Sequence, residues 1–119
     1  MTHYYYFCAI YLHKPVLALN LSKSPYECSS KEEIREQIDL IDKEIIALFG
    51  LRFKYVSEIV KYKNDVESII AKDRKNHVIK ARGEWAVEHG LDKETFEQIY
   101  RFLVDHNIEK ELDILEKRK

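Results

Sequence analysis

The sequence predicts an all-α protein, with three helices per chain, a very long first helix and a homodimeric assembly. Three observations carry this reading. Glycine and proline number only three and two in 119 residues, so few turns are obligatory and a many-stranded fold is disfavoured. Apolar residues recur at alternating steps of four and three from Ile34 to Tyr62, which is the period of a helical seam. That seam is longer than a small globular domain needs. Two shorter helices of the same chain could not readily cover it, and a second copy is the natural cover.

Bulk composition narrows the function. Net charge is -1, from 20 basic and 21 acidic residues, and this balance points to neither a nucleic acid nor a membrane surface. Cys8 and Cys28 make no disulfide framework or metal motif. His3, His13, His77, His89 and His106 lack the spacing of ligands, so no metal is expected. Residues 1–27 read as an N-terminal leader or arm and residues 28–119 as one helical domain. Within the leader, the apolar run from Tyr4 to Leu12 falls short of the roughly 20 residues that span a bilayer. It also lacks the basic flank of a secretory signal. It is read as a packing arm, a disordered leader or sequence added by an upstream start, and the expected location is the cytoplasm.

The first helix is expected over about 31–63, roughly 48 Å long at 1.5 Å per residue. Ser30 and Glu33 have the spacing of a capping box at its start. Its seam comprises Ile34, Ile38, Ile41, Ile45, Leu48, Arg52, Tyr55, Ile59 and Tyr62. A connection from Asn64 to Lys72 leads to a second helix over Asp73–Glu88, with a mixed face of Val78, Ile79, Arg82, Trp85 and Ala86. Gly90 suits the C′ position that ends this helix, and Asp92 suits the N-cap of the third. The third helix carries Phe96, Ile99, Leu103, Ile108, Leu112 and Leu115 at helical spacing. It closes on the basic tail Lys117-Arg118-Lys119, as the helix dipole favours.

Several charges fall on apolar faces. Arg52 lies on the first seam, where a buried guanidinium needs a carboxylate, water or an anionic ligand. An ion pair across a helix interface would satisfy it equally well. Lys63 follows eleven residues later, on the same face of a straight helix but about 16 Å along it. Arg35 precedes Arg52 by 17 residues, or about 25 Å, so one chain cannot bring both to one small ligand. Two antiparallel copies could; alone, Arg35 reads as a solvated first-turn residue. Asn107 and Glu111 fall on the inward face of the third helix and would need polar partners. Alternatively, Glu109, Lys110, Glu111 and Asp113 form a charged solvent stripe.

These residues carry a family resemblance. The run Ile34-Arg35-Glu36-Gln37-Ile38-Asp39-Leu40-Ile41-Asp42, continued by Ile45-Ile46-Ala47-Leu48, Arg52 and Lys63, resembles the first helix of the all-helical chorismate mutases (type II). The likeness covers about residues 23–116. Lys23-Ser24-Pro25 with Cys28, and the segment from Ala81 to Asp92, are similar to the isochorismate-pyruvate lyase branch of that family. The resemblance implies an intertwined homodimer acting on a small molecule, with no metal, no cofactor and no covalent intermediate. It implies that Arg52 and Arg35 of the neighbouring chain bind two carboxylates, and that Lys63 bonds the ether oxygen of the breaking C–O bond. Arg74 matches an arginine after the first loop. Glu111 falls where most relatives have a glutamine, and some chorismate mutases have glutamate. Lys75 departs from the glutamate of many mutases, and the loop before it is one residue shorter; in both respects the chain resembles the lyase branch.

The chemistry needs no nucleophile or proton transfer. Chorismate rearranges to prephenate as negative charge builds on its ether oxygen, so the protein must fold the substrate and place fixed positive charge there. Two guanidinium groups suit the carboxylates bidentately, and an ammonium acts as a compact point charge. The lyase reaction on isochorismate, giving salicylate and pyruvate, breaks the same kind of bond and uses the same cations. Chorismate mutase is the first expectation and the lyase the alternative. A helical binding dimer without activity comes third, since a purely structural seam would not need Arg52.

Overall fold

A computed structural model of the chain describes residues 21–118 and is helical along most of that span. The apolar run Tyr4–Leu12 lies outside the described residues. The chain divides into two compact units, the first ending at Arg52 and the second opening at Phe53.

In the first unit a 3₁₀ turn, Pro25–Glu27, leads into helix α1, Lys31–Ile59. The Ser30 hydroxyl accepts the Glu33 amide at 3.1 Å, which is half of the expected capping box. The Glu33 carboxylate reaches one residue further back than the box requires. It accepts the Ser29 amide at 2.7 Å and pairs with Lys23 at 2.8 Å. Gln37, one turn further along α1, is buried and donates to the Ser22 hydroxyl at 3.1 Å. Residues 22–29 are thus tied to the first turns of α1 by polar contacts. The seam itself is open in the single chain, with Ile34, Ile38 and Ile45 each more than two-fifths exposed.

In the second unit α1 does not run on to residue 63 as the seam suggests. It tightens into a 3₁₀ turn, Val60–Tyr62, and Lys63 adopts an extended conformation (φ -116°, ψ 131°). Tightening from 3.6 toward 3 residues per turn rotates the end of the helix. Val60 therefore turns inward, 1% exposed, while the seam residue Ile59 stays 47% exposed. The stretch read as a connection holds a short helix, α2, Val66–Ile70. Asp65 caps it by accepting the Ser68 amide at 2.8 Å, and Ile69 on this turn is 1% exposed. Ala71 then takes a left-handed conformation (φ 40°) that lets α3, Lys72–Glu88, start in a new direction.

Helix α3 ends at Gly90 (φ 75°) as expected. Leu91 donates to the Ala86 carbonyl and Gly90 to that of Val87, the paired bonds of a Schellman motif. Asp92 caps α4, Lys93–Lys117, by accepting the Thr95 amide at 3.0 Å. Helices α3 and α4 approach closely at Gly83, where a Cβ would lie 2.7 Å from Cγ of Glu97. Val78, Ile79 and Ala86 of the expected α3 face are buried. Trp85 is half exposed, and the Arg82 guanidinium lies 4.5 Å from its ring centroid and 5.8 Å from that of Tyr100. The core of the unit is Val60, Ile69 and Leu115, with Ile108, Leu112 and Ile114 packed around it. Among the described residues no helix is long and apolar enough to cross a membrane, and no group of acidic, histidine or cysteine side chains could hold a metal.

The Lys23 ammonium, with the amide and hydroxyl of Ser29, lowers the Glu33 pKa from 4.5 to about 2. A carboxyl depressed on folding stabilises the fold above its unfolded pKa, and the contribution fades as pH falls through the folded value. Residues 22–29 should therefore stay docked on α1 down to pH 4.5 and loosen between that value and about 2. A carbon-detected NMR titration of Glu33 should give a midpoint near 2, moved upward in Lys23→Met. A wild-type midpoint near 4.5 would show that the contact is not made in solution.

Candidate functional site

Lys63 is placed by the way α1 ends. The 3₁₀ turn closes when the Lys63 amide donates to the Val60 carbonyl at 3.0 Å. The extended backbone then sends the chain away from the helix, and Asp65 fixes its next direction by capping α2. From this position the Lys63 ammonium meets the Glu111 carboxylate of α4 at 2.9 Å. The two side chains are 18% and 7% exposed, so the charges meet largely out of water. An effective dielectric well below that of water strengthens their attraction, and desolvation offsets much of the gain.

Glu111 is thus an interior residue. Its neighbours Glu109, Lys110 and Asp113 are exposed, which confines the charged stripe to them and removes Glu111 from it. Asn107, one turn earlier on α4, is also buried, at 6% exposure. Helix α4 therefore carries two buried polar side chains, Asn107 and Glu111, in line with the buried apolar Leu115. Such a row is costly without partners, and Lys63 supplies one of them.

The remaining predicted residues sit apart from this pair along the chain. Arg52 is half-buried on α1 at the end of the first unit. Arg35 is exposed, close to the start of the same helix. The helical rise keeps the two about 25 Å apart in one chain. Arg74 is exposed on the first turn of α3.

Two contacts were not anticipated from the sequence. Lys75 pairs with Asp105 of α4 at 2.5 Å, tying the start of α3 to the middle of the last helix. Arg118 reaches back from the end of α4 to donate to the carbonyls of Val60 and Lys63, each at 2.8 Å. Nothing local signals either contact. The basic tail reads as a dipole complement, and its long-range partner is 55 residues away.

The arrangement offers a fixed, semi-buried ammonium beside a carboxylate that can moderate its charge. Such a group can stabilise negative charge developing on a substrate oxygen. The sequence matches the family described as chorismate mutase type II over residues 34–112. It is also similar to the isochorismate pyruvate lyase of Pseudomonas aeruginosa, with 31% identity over 90 residues, which is 76% of this chain and 89% of that one.

Proposed function

The chain belongs to the chorismate mutase type II family, and from that premise we propose that it rearranges chorismate to prephenate with Lys63 as the cation at the ether oxygen. The buried Lys63–Glu111 pair carries this reading. Both residues lie within the family match, 48 positions apart in the chain. A lysine ammonium paired with a single carboxylate retains two further N–H donors for a ligand oxygen. Arg52 and Arg74 add charge for the substrate's carboxylates, and Asn107 a polar contact. Neither metal nor cofactor enters the reaction.

A homodimer is part of the reading. The open seam of Ile34, Ile38 and Ile45, continued by Tyr55 and Ile59, supports it. Covering the exposed part of each such isoleucine contributes on the order of 1 kcal/mol. In this assembly Arg35 of the neighbouring chain joins Arg52, which the length of α1 prevents within one chain. A dimeric enzyme acting on a water-soluble dianion suits the cytoplasm.

The relative's name favours a second reaction on the same residues, elimination of pyruvate from isochorismate. Following prephenate and salicylate from purified protein given each substrate separates the two. Prephenate from chorismate as the faster reaction is expected. Salicylate formation alone would assign the lyase, and neither product would leave a non-catalytic dimer.

Shared sites have a distinctive signature. Arg35→Ala and Arg52→Ala should each be nearly inactive dimers by sedimentation. Co-refolded together they should recover activity, because one site of each heterodimer keeps both arginines. Absence of recovery in verified heterodimers would remove Arg35 from the neighbouring site.

Charge at the ether oxygen develops mainly in the transition state, so Lys63→Ala should lower kcat at least about a hundredfold with little change in KM. A variant within a few-fold of wild type would exclude Lys63. Glu111→Gln keeps the size of the side chain, removes a negative charge and adds an N–H donor. It should keep activity, with a pH–kcat/KM profile that differs from that of the wild type. Superimposable pH–kcat/KM profiles of the two proteins would place Glu111 outside the mechanism.

A further inference from the structure

Lys63 is held at more points than its ammonium. Its amide donates to the Val60 carbonyl at 3.0 Å, and its Nζ meets Glu111 at 2.9 Å. Its own carbonyl accepts from Arg118 Nη2 at 2.8 Å, while Nη1 of the same guanidinium donates to Val60 at 2.8 Å. These two carbonyls bracket the 3₁₀ turn that delivers Lys63. The Val60 carbonyl takes the fork as a second donor beside the Lys63 amide, and the Lys63 carbonyl lies past the end of the turn. One planar fork thus spans the turn.

We propose that Arg118 is a positioning residue for Lys63: its guanidinium clamps the turn Val60–Lys63 so that the ammonium is held beside Glu111 and aimed at the substrate. The proposal rests on the catalytic role assigned to Lys63 above. Glu111 and Arg118 are seven residues apart, so they share one face of α4 about 10 Å from each other along the axis. Between them lies Leu115, packed in the core with Val60. The Arg118 amide donates to the Leu115 carbonyl at 3.2 Å, which keeps its backbone in line with the helix. One face of α4 therefore grips Lys63 at both ends, the ammonium through Glu111 and the carbonyl through Arg118. A lysine side chain has four rotatable bonds, so it can hold a fixed position only if its backbone is fixed. Guanidinium geometry is specific to the task. Its rigid fork bonds two carbonyls at once, whereas an ammonium on a flexible stem is a point donor.

The test compares Arg118→Ala, Arg118→Lys, Lys63→Ala and the double variant Lys63→Ala/Arg118→Ala in the full chain, with folding checked by circular dichroism. Arg118→Ala should lower kcat by about ten- to a hundredfold, the cost of a misplaced catalytic group, with KM changed by less than a few-fold. Arg118→Lys should recover part of the loss. The double variant should be no slower than Lys63→Ala, because a clamp has nothing to aim once the ammonium is gone. Hydrogen exchange at the Lys63 amide reads the clamp without any reaction, and its protection should fall in Arg118→Ala. A wild-type kcat for Arg118→Ala beside an inactive Lys63→Ala would overturn the proposal alone. So would additive losses in the double variant, or unchanged protection of the Lys63 amide. An active Lys63→Ala enzyme would instead overturn the role given to Lys63, and the proposal with it.

Discussion

The buried pair of Lys63 and Glu111 is the constraint around which the second unit is arranged. Moving an ammonium and a carboxylate out of water costs several kcal/mol per ion, and their attraction repays this only with good geometry. Well-packed apolar residues would serve stability as well or better. Two charges held at 2.9 Å with little exposure therefore impose demands on everything around them. Helix α1 has to stop short of Lys63, the chain has to turn away at once, and α4 has to present Glu111 inward.

Each demand is met by a local device. The 3₁₀ turn of Val60–Tyr62 releases Lys63 from the helix and rolls Val60 into the core. Asp65 caps α2 and brings Ile69 against the same core. Ala71 turns the chain through a left-handed conformation, which costs a non-glycine residue about 1–2 kcal/mol and is outweighed by the packing on either side. Gly90 and Asp92 reverse the chain between α3 and α4 with a Schellman motif followed by an N-cap. Close contact at Gly83 sets the approach of those two helices. The ion pair thus depends on the small core of Val60, Ile69 and Leu115 and on several hydrogen-bonded chain reversals.

What the sequence made legible follows the range of the interaction. Gly90 and Asp92 act on backbone groups within four or five residues, so their roles can be read directly. The existence of three main helices follows from periodicity. Their edges do not: one change of pitch at the end of α1 exchanges Ile59 for Val60. The five residues of α2 are too few to show a period, and only the spacing of Asp65 and Ser68 marks them. Glu111 and Glu109 look alike in sequence, and only a cation 48 residues away separates the buried one from the exposed one. Lys63 and Glu111 were both singled out from the sequence, Glu111 with a competing surface reading that its burial removes. Whether Arg35 and Arg52 meet across two chains is a question that periodicity can raise without answering.

In the role proposed for it, Lys63 would be both a catalytic and a structural cation, and such a group faces a conflict. The carboxylate that holds Lys63 in place also cancels part of the field it exerts on a substrate. If the ammonium were the only point of attachment, turning it toward a substrate oxygen would cost the residue its position. Fixing the lysine backbone separately removes that conflict. The turn from Val60 to Lys63 is bonded at both ends by Arg118, so Nζ can share its donors between Glu111 and a ligand while the backbone stays put. Preorganisation of this kind costs nothing at the moment of reaction, because the ordering was completed on folding.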